Sequence, residues 1–362
     1  MARNGPSSAP VLPVGKRAFL RRRGSRRPTV VSRLHPTRDD VRAATRVTVS
    51  VVVPMVVFRL AGHPQWVLYS TFAAFASVYG RGESPRRRIS TQLPVGIMLT
   101  GIIIAATATA TAGDARWWSL LGVSLAAAIA TAASHRWSWR PGGALFAVFA
   151  FGAVSSVSAT GHDVLVATAV ALATSAFTLL VGAEAFLLHL GPREESVPTR
   201  SHSTAEWRRA LATAVAAAAA DGLATWLHLG HPYWAAVSAV VPMAALGTVD
   251  RLLRARHRAG GTVLGLGLAF GLFAFSLSPW ELVVVIGLLQ LCAELMVIRH
   301  YGIAMMFVTP LSLAVAELGQ PQPAAHLIWA RTLTTAIGLV FGLTAVFADH
   351  SPPEDLDAMA AA

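Results

Sequence analysis

Arg59, Glu184, Asp221, Glu294 and Arg331 all stand inside long apolar stretches of this sequence. An ionisable group at membrane depth is expensive and marks a functional position by default. Asp221, in the run AAAAADGLATW, falls near the middle of its stretch. It is a candidate for carrying a proton; the alternatives are a packing hydrogen bond or an ion pair with Arg331. Arg331 sits about seven residues into the last apolar stretch, roughly 10 Å deep at the helical rise. Its rigid planar fork suits a carboxylate held by two hydrogen bonds, so it is a candidate for binding an organic anion. The alternative is a structural pair with Asp221 or Glu317. Arg59 and Arg46 are nearer the ends of the first stretch, where long basic side chains snorkel to the interface. Gln290 lies four residues before Glu294 and shares its helical face. That polar stripe, with Glu184, either lines a water-filled path or joins two helices.

A second candidate is the sequence Arg258-Ala259-Gly260-Gly261-Thr262. Read as the start of the ninth apolar stretch, it presents N–H groups without helical partners to an anion. Gly261 and Gly265 also form a small-xxx-small pair suited to close helix packing. Arg258, Gly261 and Thr262 therefore join Arg59 and Arg331 as candidate substrate-binding residues.

The elements that must position these residues follow from composition. Hydrophobic residues make up 54% of the 362 and charged ones 13%, against roughly 25% charge in soluble domains. Apolar stretches of about twenty residues, the length that crosses a bilayer, recur along the chain. They fall at about 43–61, 64–80, 89–113, 117–133, 141–158, 163–190, 207–229, 231–247, 259–278, 280–297, 300–318 and 324–348. The expected fold is an all-α membrane protein of about twelve transmembrane helices. With the amino terminus inside, 26 of the 30 basic residues fall in the tail or the inner loops, and only Arg116 falls in an outer loop. This asymmetry is the expected one for a multi-pass protein of the cell (inner or plasma) membrane with both termini cytoplasmic.

The net charge of +12 is dispersed in short clusters between apolar stretches, so no nucleic-acid face is expected. The single Cys292 permits no intrachain disulfide. Residues 1–42 read as a basic cytoplasmic tail without fixed structure and without the apolar core of a cleavable signal.

The chain also repeats itself. HPQW at 63–66 matches HPYW at 231–234, and RPGGALFAVF at 140–149 resembles RHYGIAMMFV at 299–308. The expected plan is two parallel six-helix repeats, 43–190 and 207–348, joined by a linker at 191–206 and followed by a short tail at 349–362. Six helices per repeat is an even number, which relates the halves by an axis along the membrane normal. In each HPxW element the proline suits a helix's first turn and the tryptophan suits the interface. His63, His162, His228, His231 and His326 fall on the outer side in no metal-binding spacing.

Residues 231–265, HPYWAAVSAVVPMAALGTVDRLLRARHRAGGTVLG, resemble the fusaric-acid-resistance (FUSC-like) family. Its pattern is a Trp-Ala element, an apolar helix and Arg-x-x-Gly-Thr-x-x-Gly, the last departing here by one residue. RHYG, FVTP and RTLTTAIG within 299–340 resemble its second motif, while RRRISTQLPVG in the first half departs from it. The resemblance implies export of organic acids, aromatic carboxylates included, and a distant likeness to the aluminium-activated malate transporters. The expected function is thus an organic-anion exporter with proton antiport through Asp221. The alternatives are a passive anion channel and a non-transporting membrane scaffold. No Walker-type loop, Ser-His-Asp set, CxxC or HExxH occurs, so neither enzymatic chemistry nor a cofactor is expected. The expected partners are the lipid bilayer, a small organic anion and a second copy of the chain.

Overall fold

The computed structural model describes residues 36–112, 115–184, 204–245, 247–319 and 322–349. Most of the basic tail expected over 1–42 and of the linker expected over 191–206 lies outside them, as does the C-terminal tail beyond Asp349.

The described residues form twelve α-helices and no strand. These are α1 (Arg38–Leu60), α2 (Val67–Ala74), α3 (Pro85–Ala110), α4 (Ala115–Arg136), α5 (Leu145–Ser155) and α6 (Gly161–Gly182). They are followed by α7 (Thr204–Trp226), α8 (Tyr233–Met243), α9 (Thr248–Phe273), α10 (Pro279–Met296), α11 (Tyr301–Gly319) and α12 (Ala324–Ala348). Short 3-10 turns flank α2.

Local chemistry explains several starts. Thr37 accepts the Asp40 N–H at 3.2 Å while the Asp40 carboxylate accepts the Thr37 N–H at 2.9 Å, and this reciprocal box satisfies two orphan donors. α1 therefore begins at Arg38, earlier than the apolar pattern alone suggests. Thr160 with Asp163 and Ser278 with Glu281 build the same box at α6 and α10.

Seven helices, α1, α3, α4, α6, α10, α11 and α12, are long and apolar enough to cross a membrane. α7 and α9 have 23 and 26 residues but carry arginines near their starts, Arg208 and Arg209 in α7 and Arg251, Arg254, Arg256 and Arg258 in α9. α2, α5 and α8 have 8, 11 and 11 residues, and eleven residues rise only about 16 Å. These short helices are the most enclosed of all: every residue of α8 is buried. Backbone that breaks off at membrane depth is tolerated where protein surrounds it. The outward faces, by contrast, are rows of large apolar side chains. Leu121, Leu125 and Ile129 of α4 are each at least half exposed, a surface suited to lipid rather than water.

Packing partners recur between α1–α6 and α7–α12. α3 packs on α5 and α9 on α11; α2 packs on α6 and α8 on α12; α4 packs on α7 and α10 on α1. Glycine permits the closest of these approaches. A Cβ at Gly338 would stand 2.2 Å from the Ala235 carbonyl oxygen, and one at Gly342 would stand 2.5 Å from that of Ala239. α12 thus lies directly on the α8 backbone. Gly261 meets the Gly302 carbonyl oxygen in the same way, at 2.5 Å, which seats α9 on α11.

Candidate anion site in the bundle core

α8 is the post around which α9, α11 and α12 place their polar side chains. α9 turns Arg251, Ala255, Arg258, Thr262 and Gly265 inward at helical spacing. α12 does the same with Leu327, Arg331, Thr334, Thr335, Gly338 and Gly342. Arg258 and Arg331 are each 1% exposed and rank with Trp234 among the largest fully buried side chains of the protein.

Arg331 lies over the indole of Trp234, its guanidinium carbon 4.9 Å from the ring centroid. Its Nε and Nη1 are buried and have no hydrogen-bond acceptor. Arg258 reaches the same neighbourhood from α9. Its Nη2 donates to Ser238 Oγ at 3.3 Å, its Nη1 approaches Met305 Sδ at 3.2 Å, and Tyr301 is a further partner. Its Nε has no acceptor. The two guanidiniums act on each other electrostatically, and Tyr233 and Tyr301 lie within the same electrostatic neighbourhood of Arg331. Tyr233 is itself bonded to His231 Nδ1 at 3.2 Å, and His231 stacks on Trp234 at 4.5 Å.

Among the described residues no carboxylate pairs with either arginine. The pairing of Arg331 with Asp221 or Glu317 that the sequence left open is not made, and Glu317 instead accepts the Gln322 N–H at 3.0 Å. A buried cation normally has a counter-ion. These two share aromatic, hydroxyl and thioether neighbours instead, with three N–H groups unspent. Such a pair can receive an anion, which would meet both charges and the free donors at once.

The other sequence candidates fall elsewhere. Gly260, Gly261 and Thr262 do not open a helix: α9 begins at Thr248, so their N–H groups lie inside the helical ladder. The helix-start anion site expected there does not exist, and Gly261 serves close packing. The apolar pattern misplaced this start because Arg251, Arg254, Arg256 and Arg258 interrupt the run although they belong to the helix. Arg59 lies over Trp280 at 5.3 Å, apart from the arginine pair. Glu184 is bound by Arg46 at 3.1 Å. Glu294 is bound by Arg81 Nη1 at 2.8 Å and by Gln290 Nε2 at 3.0 Å. The polar stripe on α10 thus ties α10 to the segment after α2. Arg81 donates a second hydrogen bond to the Glu294 carbonyl, at 2.6 Å.

Asp221 lines a separate cavity of about 390 Å³, together with Arg116, Ser119, Ser155, His228 and Tyr233. Sequence reasoning did not single out Trp234, Tyr233, Ser238, Tyr301 or Met305 as site residues. The HPYW element contains two of them and reads there as an interface anchor, and the RHYGIAMMFV repeat contains Tyr301 and Met305 but reads only as a resemblance.

The bundle and its buried charges define a polytopic membrane protein. Residues 216–345 match the model of a family described as fusaric acid resistance protein-like, FUSC_2. The chain is 32% identical over 136 residues to YvaC, an uncharacterized membrane protein of Bacillus subtilis (strain 168); the aligned stretch covers 37% of this chain and 22% of that protein. The chain therefore spans about a fifth of the relative's length. No solved structure matches. Both matches support the FUSC-like resemblance read from the motifs, and the family match contains the whole arginine site.

Proposed function

We propose that this protein transports organic anions across a membrane, with Arg258 and Arg331 as the station that holds the anion. One observation carries this reading: two fully buried guanidiniums act on each other electrostatically, and among the described residues neither has a carboxylate partner. An anion of the substrate is the charge that completes them. Aromatic carboxylates are the substrate class we favour, because Trp234, Tyr233 and Tyr301 supply aromatic surfaces beside the charges, and because the family description names resistance to an acid. The proposed architecture is two six-helix repeats in the cell membrane, with the arginine-rich end cytoplasmic and export as the direction. The recurring partners α3–α5 and α9–α11, α2–α6 and α8–α12, and α4–α7 and α10–α1 support the repeat.

The test is uptake of labelled benzoate and hexanoate into inverted membrane vesicles containing the full chain. Saturable uptake in wild type that Arg331→Met and Arg258→Gln each abolish is the expected result. Uptake that is unchanged in both variants overturns the assignment of the station, and no saturable uptake of either acid overturns the substrate class.

A further inference from the structure

The cavity that holds Asp221 is distinct from the arginine station and has a charge arrangement of its own. Asp221 is 3% exposed and its Oδ1 is buried without a partner. Among the described residues it makes no ion pair. It shares the cavity's inner part with buried Ser155 and Tyr233, while Arg116 and His228 are exposed at its mouth. His228 lies seven residues beyond Asp221, in the turn that follows the end of α7 at Trp226. The cavity thus has a carboxylate floor and a basic rim.

A simple ammonium ion would satisfy the floor but meet the cation at the mouth. A simple carboxylate would satisfy the rim and be repelled by the floor. A molecule carrying both groups, held apart by a short spacer, meets both. About 390 Å³ falls within the usual range of small-molecule pockets. An ammonium donates three hydrogen bonds, and the floor offers it the free carboxylate oxygen. Beside that oxygen the Ser155 hydroxyl, which already bonds Ser119 at 2.7 Å and donates to the Gly152 carbonyl at 3.3 Å, keeps at most one lone pair. Inward of the floor stands Tyr233, a boundary residue whose hydroxyl is already bonded to His231.

We propose that this cavity is a binding site for a small zwitterionic amino-carboxylate, with its ammonium on Asp221 and its carboxylate at Arg116 and His228. The site meets the arginine station only at Tyr233, and its existence does not depend on what that station carries.

The test measures equilibrium binding of labelled 6-aminohexanoate, hexylamine and hexanoate to the purified full chain in lipid nanodiscs. 6-Aminohexanoate is expected to bind saturably. Its affinity should fall about tenfold or more in Asp221→Asn and again in Arg116→Gln, the range for a lost charge-assisted hydrogen bond. Ser156 is an exposed residue of the cavity lining, and Ser156→Trp should also block binding. Arg331→Met should leave this binding within about twofold while it removes binding of hexanoate, so the two sites are read separately. Monodisperse elution and a helical circular-dichroism spectrum equal to that of wild type show that Asp221→Asn is folded. Binding that survives Asp221→Asn and Ser156→Trp overturns the proposal. So does hexylamine binding as tightly as 6-aminohexanoate, loss of 6-aminohexanoate binding in Arg331→Met, or no saturable binding to the wild type.

Discussion

Replacing Arg331 by methionine separates a structural arginine from one kept for a ligand. In the empty protein the side chain gains from its contact with Trp234 at 4.9 Å, and a desolvated cation–π contact is worth about 2 kcal/mol. Against this stands the cost of holding a cation, 1% exposed, with two N–H groups unpaired and a second cation nearby. That desolvation penalty is several kcal/mol. Methionine keeps the volume and polarisable contact with the indole and removes the penalty, so Arg331→Met should be no less stable than wild type when empty. With an anion bound the order reverses. A hydrogen bond to a charged partner contributes about 1.5–3 kcal/mol, which corresponds to roughly 10- to 150-fold in affinity. Thermal unfolding in detergent reads both effects. At a benzoate concentration a hundred times its Kd, wild type gains about 2.7 kcal/mol; with a Kd about thirtyfold weaker, the variant gains under about 1 kcal/mol at the same concentration. A variant that is markedly destabilised when empty, yet keeps the full benzoate gain, would show that Arg331 is a packing element and would sink the anion-site reasoning.

Two further outcomes follow from the packing. Gly338→Ala puts a methyl 2.2 Å from the Ala235 carbonyl oxygen, so α12 must lift from α8; overpacking of this kind costs about 1–3 kcal/mol, and an unchanged unfolding midpoint would contradict the close approach. Glu294→Gln leaves Arg81 without its counter-ion. Breaking a buried pair costs about 3–5 kcal/mol, while Arg81→Met in the same chain should restore most of it, and a double-mutant unfolding cycle with no such restoration would contradict the pairing.

The sequence made individual charges legible but not their partners. Arg331 and Asp221 stand out because charges are rare inside apolar runs, and both are indeed buried. Which charges neutralise one another is a property of the assembled bundle. Arg81 meets Glu294 across 213 residues of chain and Arg46 meets Glu184 across 138, separations at which local pattern carries no information. Helix starts failed for a different reason. An arginine counts against an apolar run wherever it points, so the reading cut α9 at residue 259 and α3 at 89. In the structure Arg251 and Arg258 are seven residues apart on one buried face of α9, and Arg88 is buried on α3 with its guanidinium bonded to the Gly182 carbonyl at 2.9 Å. Trp234 reads from the sequence as an interface anchor, the ordinary role of tryptophan at a helix start, but it is fully buried.

Under the proposed two-repeat plan, the halves share a scaffold but not a site. α3 and α9 both have 26 residues, and aligning their starts places Arg88 with Arg251. Each ties its helix to the end of the last helix of its half, Arg88 through Gly182 and Arg251 through Asp349 at 2.8 Å. The HPxW elements also agree: His63 stacks on Trp66 at 3.9 Å and His231 on Trp234 at 4.5 Å. Seven residues beyond the latch the agreement ends. Arg258 has Val95 as its counterpart, and both are fully buried. A pocket that accepts valine in one half has no packing need for a cation in the other. Latch and stacked histidine thus belong to the scaffold, present twice because both halves must be held together. The arginine pair occurs in the half that the family model matches, and under the proposed function its position answers to a bound anion rather than to the scaffold.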